Sequence, residues 1–330
     1  METKKIGNLE IEPTRVAIGT WAIGGWMWGG KDDENAIKGI REALDLGINI
    51  IDTAPVYGFG HSEEIVGKAV KGHANREDVI IATKVALNWK NEYPFRDSRK
   101  ERIFKEIDDS LRRLKTDYID IYQIHWPDPE TPFEETAEAM NNLMEDGKIR
   151  AIGVSNYHPE HMDAFRKEAP LHSNQPPYNL FERGIEEDTL PYCKEHDIKI
   201  LAYGSLCRGL LSGKMTPDYE FHGDDLRKND PKFKQPRYDQ YLHAVRKLDD
   251  FARENYGKRV LHLAIRWLLD HSADIALWGV RKPEQIDPVR AVFDWKLDDD
   301  ALKEIDKILD ETIKDPVGPE FMAPPTRSEK

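Results

Sequence analysis

Residues 34–54 read ENAIKGIREALDLGINIIDTA, a helical segment that leads directly into a short apolar strand. Apolar side chains recur with the helical period in residues 34–47, whereas residues 48–54 form an Ile-rich run that ends just after Asp52. A helix followed by an apolar strand of this kind is typical of a parallel sheet, whose strands are buried on both faces. The fold therefore depends on how often this unit recurs.

The same unit recurs across most of the 330 residues. Helical-period segments are predicted at 34–47, 102–115, 133–148, 186–197 and 259–271. Eight runs between or beside them are predicted to be strands: RVAIGTW (15–21), INIIDTA (48–54), VIIATK (79–84), YIDIYQIH (118–125), IRAIGVS (149–155), LHSNQ (171–175), IKILAYG (198–204) and IALWGV (275–280). Eight buried strands alternating with helices predict a closed (β/α)8 TIM barrel. A doubly wound sheet is the alternative, but it predicts GxGxxG where this chain has WAIGGWMWGG (21–30).

Three further segments lie outside this repeat. KKIGNLEIE (4–12) predicts an N-terminal β-hairpin that turns at Gly7-Asn8 and caps one end of the barrel. Residues 208–237, after the seventh strand, lack periodicity and are rich in Pro, Gly, Asp and Lys, which indicates a long loop. Residues 312–330 are expected to form a C-terminal tail of one barrel domain spanning 1–330, either over the mouth of the barrel or against its side.

Charge and composition narrow the classes of function. With 48 basic and 61 acidic residues the formal charge is −13, which argues against nucleic acid or an anionic membrane as partner. The chain has no apolar stretch of about 18 residues and its N-terminus lacks the apolar core of a signal peptide, so a cytoplasmic protein is expected. Cys193 and Cys207 belong to no metal-ligand pattern, and neither a metal site nor a disulfide is predicted.

Four polar residues fall at or just after the ends of consecutive strands. Asp52 ends the second strand, Tyr57 follows on its loop, Lys84 ends the third strand and His125 ends the fourth. Individually, a capping Asp, a packing Tyr, a snorkelling Lys and a core His are ordinary structural residues. In a barrel, however, the carboxyl ends of the strands share one face, so the four side chains are expected to meet there.

These four residue types suit a reaction in which a proton is delivered to a carbonyl oxygen while hydride is transferred to the carbonyl carbon. A free tyrosine has a pKa near ~10, and an adjacent Lys84 ammonium is expected to lower the pKa of Tyr57. Asp52 would pair with Lys84 and orient it, and His125 would donate to the substrate oxygen or pass a proton to Tyr57.

The chain resembles the aldo-keto reductase superfamily nearly end to end. The motifs DTAPVYGFGHSE, ATK, QIHWPD, GKIRAIGVSNY, QPPYNL and LAYGSLCRGLLSGK occur in the family's order. Within that superfamily it is similar to bacterial broad-range aldehyde reductases, which are related to the potassium-channel β subunits. The resemblance implies a (β/α)8 barrel, a small-molecule carbonyl substrate and the catalytic residues Asp52, Tyr57, Lys84 and His125.

The resemblance also implies a nicotinamide cofactor and its ligands. Ser155, Asn156 and Gln175 would bind the carboxamide, and Tyr203 would stack on the nicotinamide ring. The pyrophosphate and 2′-phosphate regions of the family correspond to Gly204, Leu206, Arg208, Gly279, Arg281, Lys282 and Gln285. The family's adenine ligands are replaced around Pro288 and Val289. NADPH is the expected cofactor because Arg281 and Lys282 can bind a phosphate, and NADH is the less favoured alternative.

An apolar substrate pocket is expected from the tryptophans that follow the first, third and fourth strands: Trp21, Trp26, Trp28, Trp89 and Trp126.

Two functions remain open. The first is an NADPH-dependent reductase of aldehydes and some ketones, with Tyr57 as general acid. The second is an NADPH-binding barrel with slow turnover that senses redox state or regulates a partner. A metal hydrolase is a distant third, and whether the protein is a monomer or a homo-oligomer stays open.

Overall fold

The computed structural model describes residues 1–329. Its strands are β1 (Val16–Gly19), β2 (Ile50–Asp52), β3 (Ile80–Val85), β4 (Leu87–Lys90), β5 (Tyr93–Arg96), β6 (Ile119–Ile124), β7 (Ile149–Ser155), β8 (Ser173–Gln175), β9 (Lys199–Ala202) and β10 (Ile275–Gly279). All except β4 and β5 close into a parallel barrel in the order β1-β10-β9-β8-β7-β6-β3-β2. The predicted (β/α)8 TIM barrel is therefore confirmed, and its strands lie within the predicted runs except β3, which extends one residue further, to Val85.

Helices surround the barrel. They are α1 (Asp33–Asp45), α2 (His61–Val70), α3 (Lys100–Leu114), α4 (Phe133–Glu145), α5 (Pro159–Phe165), α6 (Thr189–Glu195), α7 (Arg237–Tyr256), α8 (Val260–His271) and α9 (Asp299–Thr312). In α1, the Asp32 side chain caps the first turn by accepting from the Asn35 amide, while Ala36, Ile40 and Ala43 are buried. No helix of the described chain is long and apolar enough to cross a membrane.

The interior of the barrel is a small apolar cluster that the N-terminal segment closes from below. Ile6 and Leu9 are buried against inward-facing residues such as Ile50 and Leu201. The segment turns at residues 7–8 as predicted, but its two arms share one antiparallel bridge, Thr3 to Thr14, instead of a regular ladder. Side chains therefore fill this end of the barrel, and the predicted site residues lie at the opposite face.

Neither the strand pair β4–β5 nor helix α7 was predicted from the sequence. The antiparallel pair β4–β5 is inserted between the barrel strands β3 and β6. Helix α7 follows the long loop after β9. As predicted, this loop is irregular as far as Pro236, apart from short 3-10 turns. The β4–β5 pair lies beside the predicted site residues, because Leu87, Tyr93 and Phe95 line the same cavity as Tyr57 and His125.

Candidate active site

The structure brings Asp52, Tyr57 and Lys84 into one hydrogen-bonded group. The Lys84 ammonium donates to Asp52 Oδ1 at 2.6 Å, to the Thr53 carbonyl oxygen at 3.0 Å and to the Tyr57 hydroxyl at 3.4 Å. Lys84 is fully buried and Asp52 is 2% exposed. A buried ammonium with a carboxylate on one side and a phenol on the other holds its charge next to the phenol oxygen.

A close approach of two loops sets the position of Tyr57. Gly58 has a φ of +66°, and a Cβ there would lie 2.2 Å from the Gly24 carbonyl oxygen. A Cβ at Gly24 would in turn lie 2.4 Å from the Tyr57 carbonyl carbon. Only glycine permits this contact, so the loop after β1 holds the Tyr57 loop against the barrel.

His125 completes the predicted quartet. Its ring lies edge-on to the Tyr57 ring, with centroids 5.7 Å apart, and its backbone amide donates to the Val85 carbonyl at 2.8 Å. Burial, together with the charge of Lys84, holds the pKa of His125 well below its ordinary value. The imidazole is therefore neutral at pH 7 and has one nitrogen able to donate.

The pKa of Tyr57 departs from the sequence-based expectation. Burial, followed by the charge of Asp52 and the neighbouring Tyr203, raises the pKa of the phenol well above its ordinary 10. Burial also lowers the pKa of Lys84, although Asp52 opposes that shift. The prediction that Lys84 lowers the pKa of Tyr57 is wrong here, because removing the phenolate from water outweighs a long 3.4 Å contact with the ammonium.

The four residues predicted to hold a nicotinamide also lie together. Ser155, Asn156, Gln175 and Tyr203 line the same cavity as Tyr57 and His125. Tyr203 donates to Asn156 Oδ1 at 2.9 Å, and Asn156 Nδ2 donates to the His125 carbonyl at 3.0 Å. The ends of β7, β8 and β9 therefore form one polar wall beside the catalytic group.

Arg208 is placed differently from the expectation for a pyrophosphate ligand. Its guanidinium donates to Glu182 Oε1 at 2.5 Å and to Asp230 Oδ2 at 2.6 Å, and Lys232 Nζ lies 2.7 Å from the same Glu182 oxygen. We call these four residues the buried ionic cluster. Because two carboxylates already neutralise the guanidinium, Arg208 is a poor ligand for a further anion. Of its predicted neighbours, Leu206 packs against the core and the Gly204 carbonyl accepts from Asn179.

The segment predicted to bind the 2′-phosphate lies away from the cavity, at the end of β10. Gln285 Oε1 accepts from the amides of Arg281 (2.6 Å) and Lys282 (3.0 Å), which fixes the turn. The Arg281 side chain donates to the carbonyls of Trp28 (2.9 Å) and Gly30 (2.7 Å), while that of Lys282 is exposed. Gly279, also expected near the 2′-phosphate, has open space where a Cβ would lie. Val289, where the family's adenine ligands are replaced, is fully buried.

A cavity of about 760 Å³ opens above Tyr57 and His125. Trp21, Trp26 and Trp126 line it as predicted. Trp89 and Trp28 do not. The Trp89 ring packs on Phe59 with centroids 5.6 Å apart, and Trp28 lies edge-on to Trp21 at 5.3 Å. The guanidinium groups of Arg102 and Arg227 lie over the Trp89 and Trp28 rings, at 5.2 and 5.4 Å. Sequence reasoning missed the lining residues from β4–β5 and the long loop: Leu87, Tyr93, Phe95 and Leu226. Phe321 and Met322 of the tail also line the cavity.

The C-terminal tail crosses the mouth of this cavity, which resolves the alternative left open by the sequence. Arg96 holds it at one point, with Nε donating to the Pro324 carbonyl at 2.8 Å and the amide donating to Pro325 at 2.9 Å. Beyond this point Arg327 donates to Asp128 Oδ2 at 2.5 Å and to the Glu130 carbonyl at 2.8 Å. The tail is thus tied to the loop after β6 and forms part of the cavity wall.

The sequence profile of the Aldo/keto reductase family matches residues 15–310. The chain belongs to the aldo/keto reductase family. Aldo-keto reductase YhdN of Bacillus subtilis (strain 168) is 60% identical over 330 residues, which cover 100% of both chains. NADH-specific methylglyoxal reductase of Escherichia coli (strain K12) is 35% identical over 302 residues, which cover 87% of this chain and 91% of that protein.

Among solved structures, the glycerol dehydrogenase AKR11B4 from Gluconobacter oxydans is similar to this chain with a TM-score of 0.88 and 53% sequence identity. The similarity covers 97% of this chain and 99% of that one. This aldo/keto reductase is accordingly an oxidoreductase that reduces carbonyl groups with a nicotinamide cofactor.

Proposed function

We propose that this chain is an NADPH-dependent reductase of aldehydes and some ketones in which Tyr57 is the general acid. The proposal rests on the position of Tyr57. Its hydroxyl accepts from Lys84, which is paired with Asp52, and its side chain lines a largely apolar cavity. A carbonyl oxygen in that cavity has a protonated phenol and a neutral imidazole as its polar neighbours.

The residues beside Tyr57 fit a nicotinamide ring. Tyr203 offers a flat aromatic surface for stacking, and Ser155, Asn156 and Gln175 offer hydrogen-bonding groups for a carboxamide on the same wall of the cavity. When bound, the reduced nicotinamide supplies the hydride. The chain's own residues supply the proton and the orientation.

Each member of the quartet has a separate task. Tyr57 donates its proton to the carbonyl oxygen, and the Lys84 ammonium stabilises the phenolate that forms. Asp52 keeps Lys84 charged and directed through the 2.6 Å hydrogen bond. Neutral His125 donates a hydrogen bond to the substrate oxygen and fixes the side from which that oxygen approaches Tyr57.

The walls of the cavity favour substrates with apolar groups. Trp21, Trp126 and Phe321 contribute large apolar surfaces. Within residues 1–329, Lys90 is the sole lysine or arginine among the lining residues, and it is exposed at the rim. Because a phosphorylated substrate would need cations beside the phosphate, aldehydes with apolar or neutral tails suit this cavity better.

Turnover distinguishes this proposal from a redox-sensing barrel. The purified protein should reduce a panel of aromatic and aliphatic aldehydes over many cycles, with NADPH consumption followed by absorbance. A sensor would instead give one rapid turnover followed by slow release of oxidised cofactor. Fewer than one cycle per minute with every aldehyde tested would favour the sensor.

NADPH should be preferred over NADH by about tenfold or more in kcat/KM, because one charge-assisted hydrogen bond to the 2′-phosphate contributes ~1.5 to 3 kcal/mol. The exposed Lys282 and the neighbouring Arg281 are the proposed cations. Arg281→Ala and Lys282→Ala should each weaken NADPH binding and leave NADH binding unchanged, with Lys303→Ala, which changes an exposed side chain on α9, as the control. Equal effects on both cofactors would contradict this assignment.

The rate of aldehyde reduction should stay nearly constant between pH 6 and pH 9. A phenol donates a proton only in its neutral form, and a pKa raised above 10 keeps Tyr57 neutral throughout this window. The rate should fall only as the pH rises toward the pKa of Tyr57. Steady-state kcat at saturating NADPH measures this profile, and a decline with a midpoint below pH 8 would show that Lys84 outweighs burial in the working enzyme.

A further inference from the structure

Gln123 is a fully buried polar residue near the carboxyl end of β6, between Tyr122 and Ile124. It lies two residues before His125, so both side chains point to the same side of the strand. It is in register with Lys84 on β3 and with Gly153 on β7. A Cβ at Gly153 would lie 2.8 Å from Gln123 Cγ, so the glycine leaves the space that this side chain occupies.

The amide of Gln123 contacts the carboxylate of Asp52. While Asp52 Oδ1 accepts from Lys84, Oδ2 accepts from Gln123 Nε2 at 3.2 Å and from Gln175 Nε2 at 2.7 Å. Donors on both oxygens fix the plane of the carboxylate. Asp52 therefore cannot turn away from Lys84 without losing hydrogen bonds in a buried site, which is unfavourable.

Gln123 also determines which end of Gln175 faces the cavity. Gln175 Nε2 donates to Gln123 Oε1 at 3.1 Å as well as to Asp52 Oδ2, so both of its amide hydrogens are engaged. A rotation of the amide by 180° would bring the Gln175 oxygen against the Asp52 carboxylate. Gln175 can consequently offer only its carbonyl oxygen, an acceptor, to a ligand in the cavity.

We propose that Gln123 is a positioning residue that couples the Asp52–Lys84 pair to the carboxamide end of the nicotinamide site. One side chain orients Asp52 toward Lys84 and orients Gln175 to accept from a carboxamide NH₂. The proposal rests on the proposed function, since it assigns Gln175 to the nicotinamide carboxamide.

The test uses the oxidised cofactor and its analogue in which a methyl ketone replaces the carboxamide. The parent should bind NADP⁺ about tenfold more tightly than the analogue, which has no NH₂ to donate. Gln123→Met keeps the length of the side chain. It should reduce the ratio of the affinity for NADP⁺ to the affinity for the analogue to about twofold or less, and it should lower kcat about tenfold. NADH and NADPH should be affected equally, because they share the carboxamide.

Gln235→Met, which removes an exposed glutamine bonded to Asp239, is the control and should leave the binding ratio and kcat unchanged. Gln123→Asn, whose shorter amide cannot span both partners, is the second variant if Gln123→Met does not fold. The ratio of the two affinities is measured without turnover, so it tests Gln123 separately from the proposed reductase activity. If the parent reduces no aldehyde but still binds NADP⁺ more tightly than the analogue, the reductase proposal fails and the proposed role of Gln123 is retained. A ratio in either Gln123 variant equal to that of the parent would overturn the proposal.

Discussion

Tyr57→Phe is expected to lower kcat for aldehyde reduction by about 10² to 10⁴ and to leave NADPH affinity nearly unchanged. The substitution removes the hydroxyl that contacts Lys84 but keeps the ring, which packs 6.0 Å from Trp21 and 5.7 Å from His125. Packing and cofactor contacts are thereby preserved, and only the proton donor is lost. Steady-state kinetics give kcat, and fluorescence titration gives the dissociation constant for NADPH.

The matched control for this prediction is Tyr93→Phe. Tyr93 lines the same cavity but is 78% exposed and makes no contact with the quartet, so its hydroxyl should be dispensable. We expect kcat of this variant within about twofold of the parent. If Tyr57→Phe also stays within a few-fold of the parent, another group donates the proton.

Asp230→Ala is expected to lower the free energy of unfolding by about 3 to 5 kcal/mol. Asp230 is fully buried, accepts from Arg208 Nε at 2.6 Å and also accepts from the Lys232 amide at 2.9 Å. Without it, the cations of Arg208 and Lys232 in the buried ionic cluster face only Glu182. A buried positive charge with no counter-charge is the source of the loss.

Urea unfolding monitored by tryptophan fluorescence measures this effect, with an unchanged slope required for a valid comparison. Asp300→Ala is the control, because the carboxylate of Asp300 is 92% exposed and its pair with Lys303 is screened by water. The control should unfold at the same urea concentration as the parent. A midpoint for Asp230→Ala equal to that of Asp300→Ala would mean that the cluster is not needed for stability.

The buried ionic cluster also links parts of the chain that surround the cavity. Arg208 follows β9, Asp230 and Lys232 lie in the long loop, and Lys232 Nζ donates to the Gly318 carbonyl of the tail at 3.0 Å. The Arg208 guanidinium also lies over the Phe321 ring at 5.5 Å. The same charges that stabilise the fold therefore hold the loop and the tail beside the site.

The alternation of helices and strands and the four strand-end residues were predictable because both depend on local patterns. Periodicity within 5 to 15 residues distinguishes a helix from a buried strand. The carboxyl ends of all barrel strands lie at one face of the molecule, so Asp52, Lys84 and His125 could be expected to lie close together. Gln123 carried a similar signal, a polar residue two positions before His125 in an apolar strand, which the sequence analysis overlooked.

By itself, then, the sequence determined the barrel and the neighbourhood of Asp52, Tyr57, Lys84 and His125. Only the tertiary structure decided that Arg208 pairs with Glu182 and Asp230, that Trp89 turns away from the cavity and that the tail crosses its mouth. These outcomes depend on which distant side chains meet, and residue spacing does not specify such contacts. The direction of the Tyr57 pKa was decided in the same way, because burial is the sum of all surrounding atoms and outweighs the one charged neighbour that the sequence could identify.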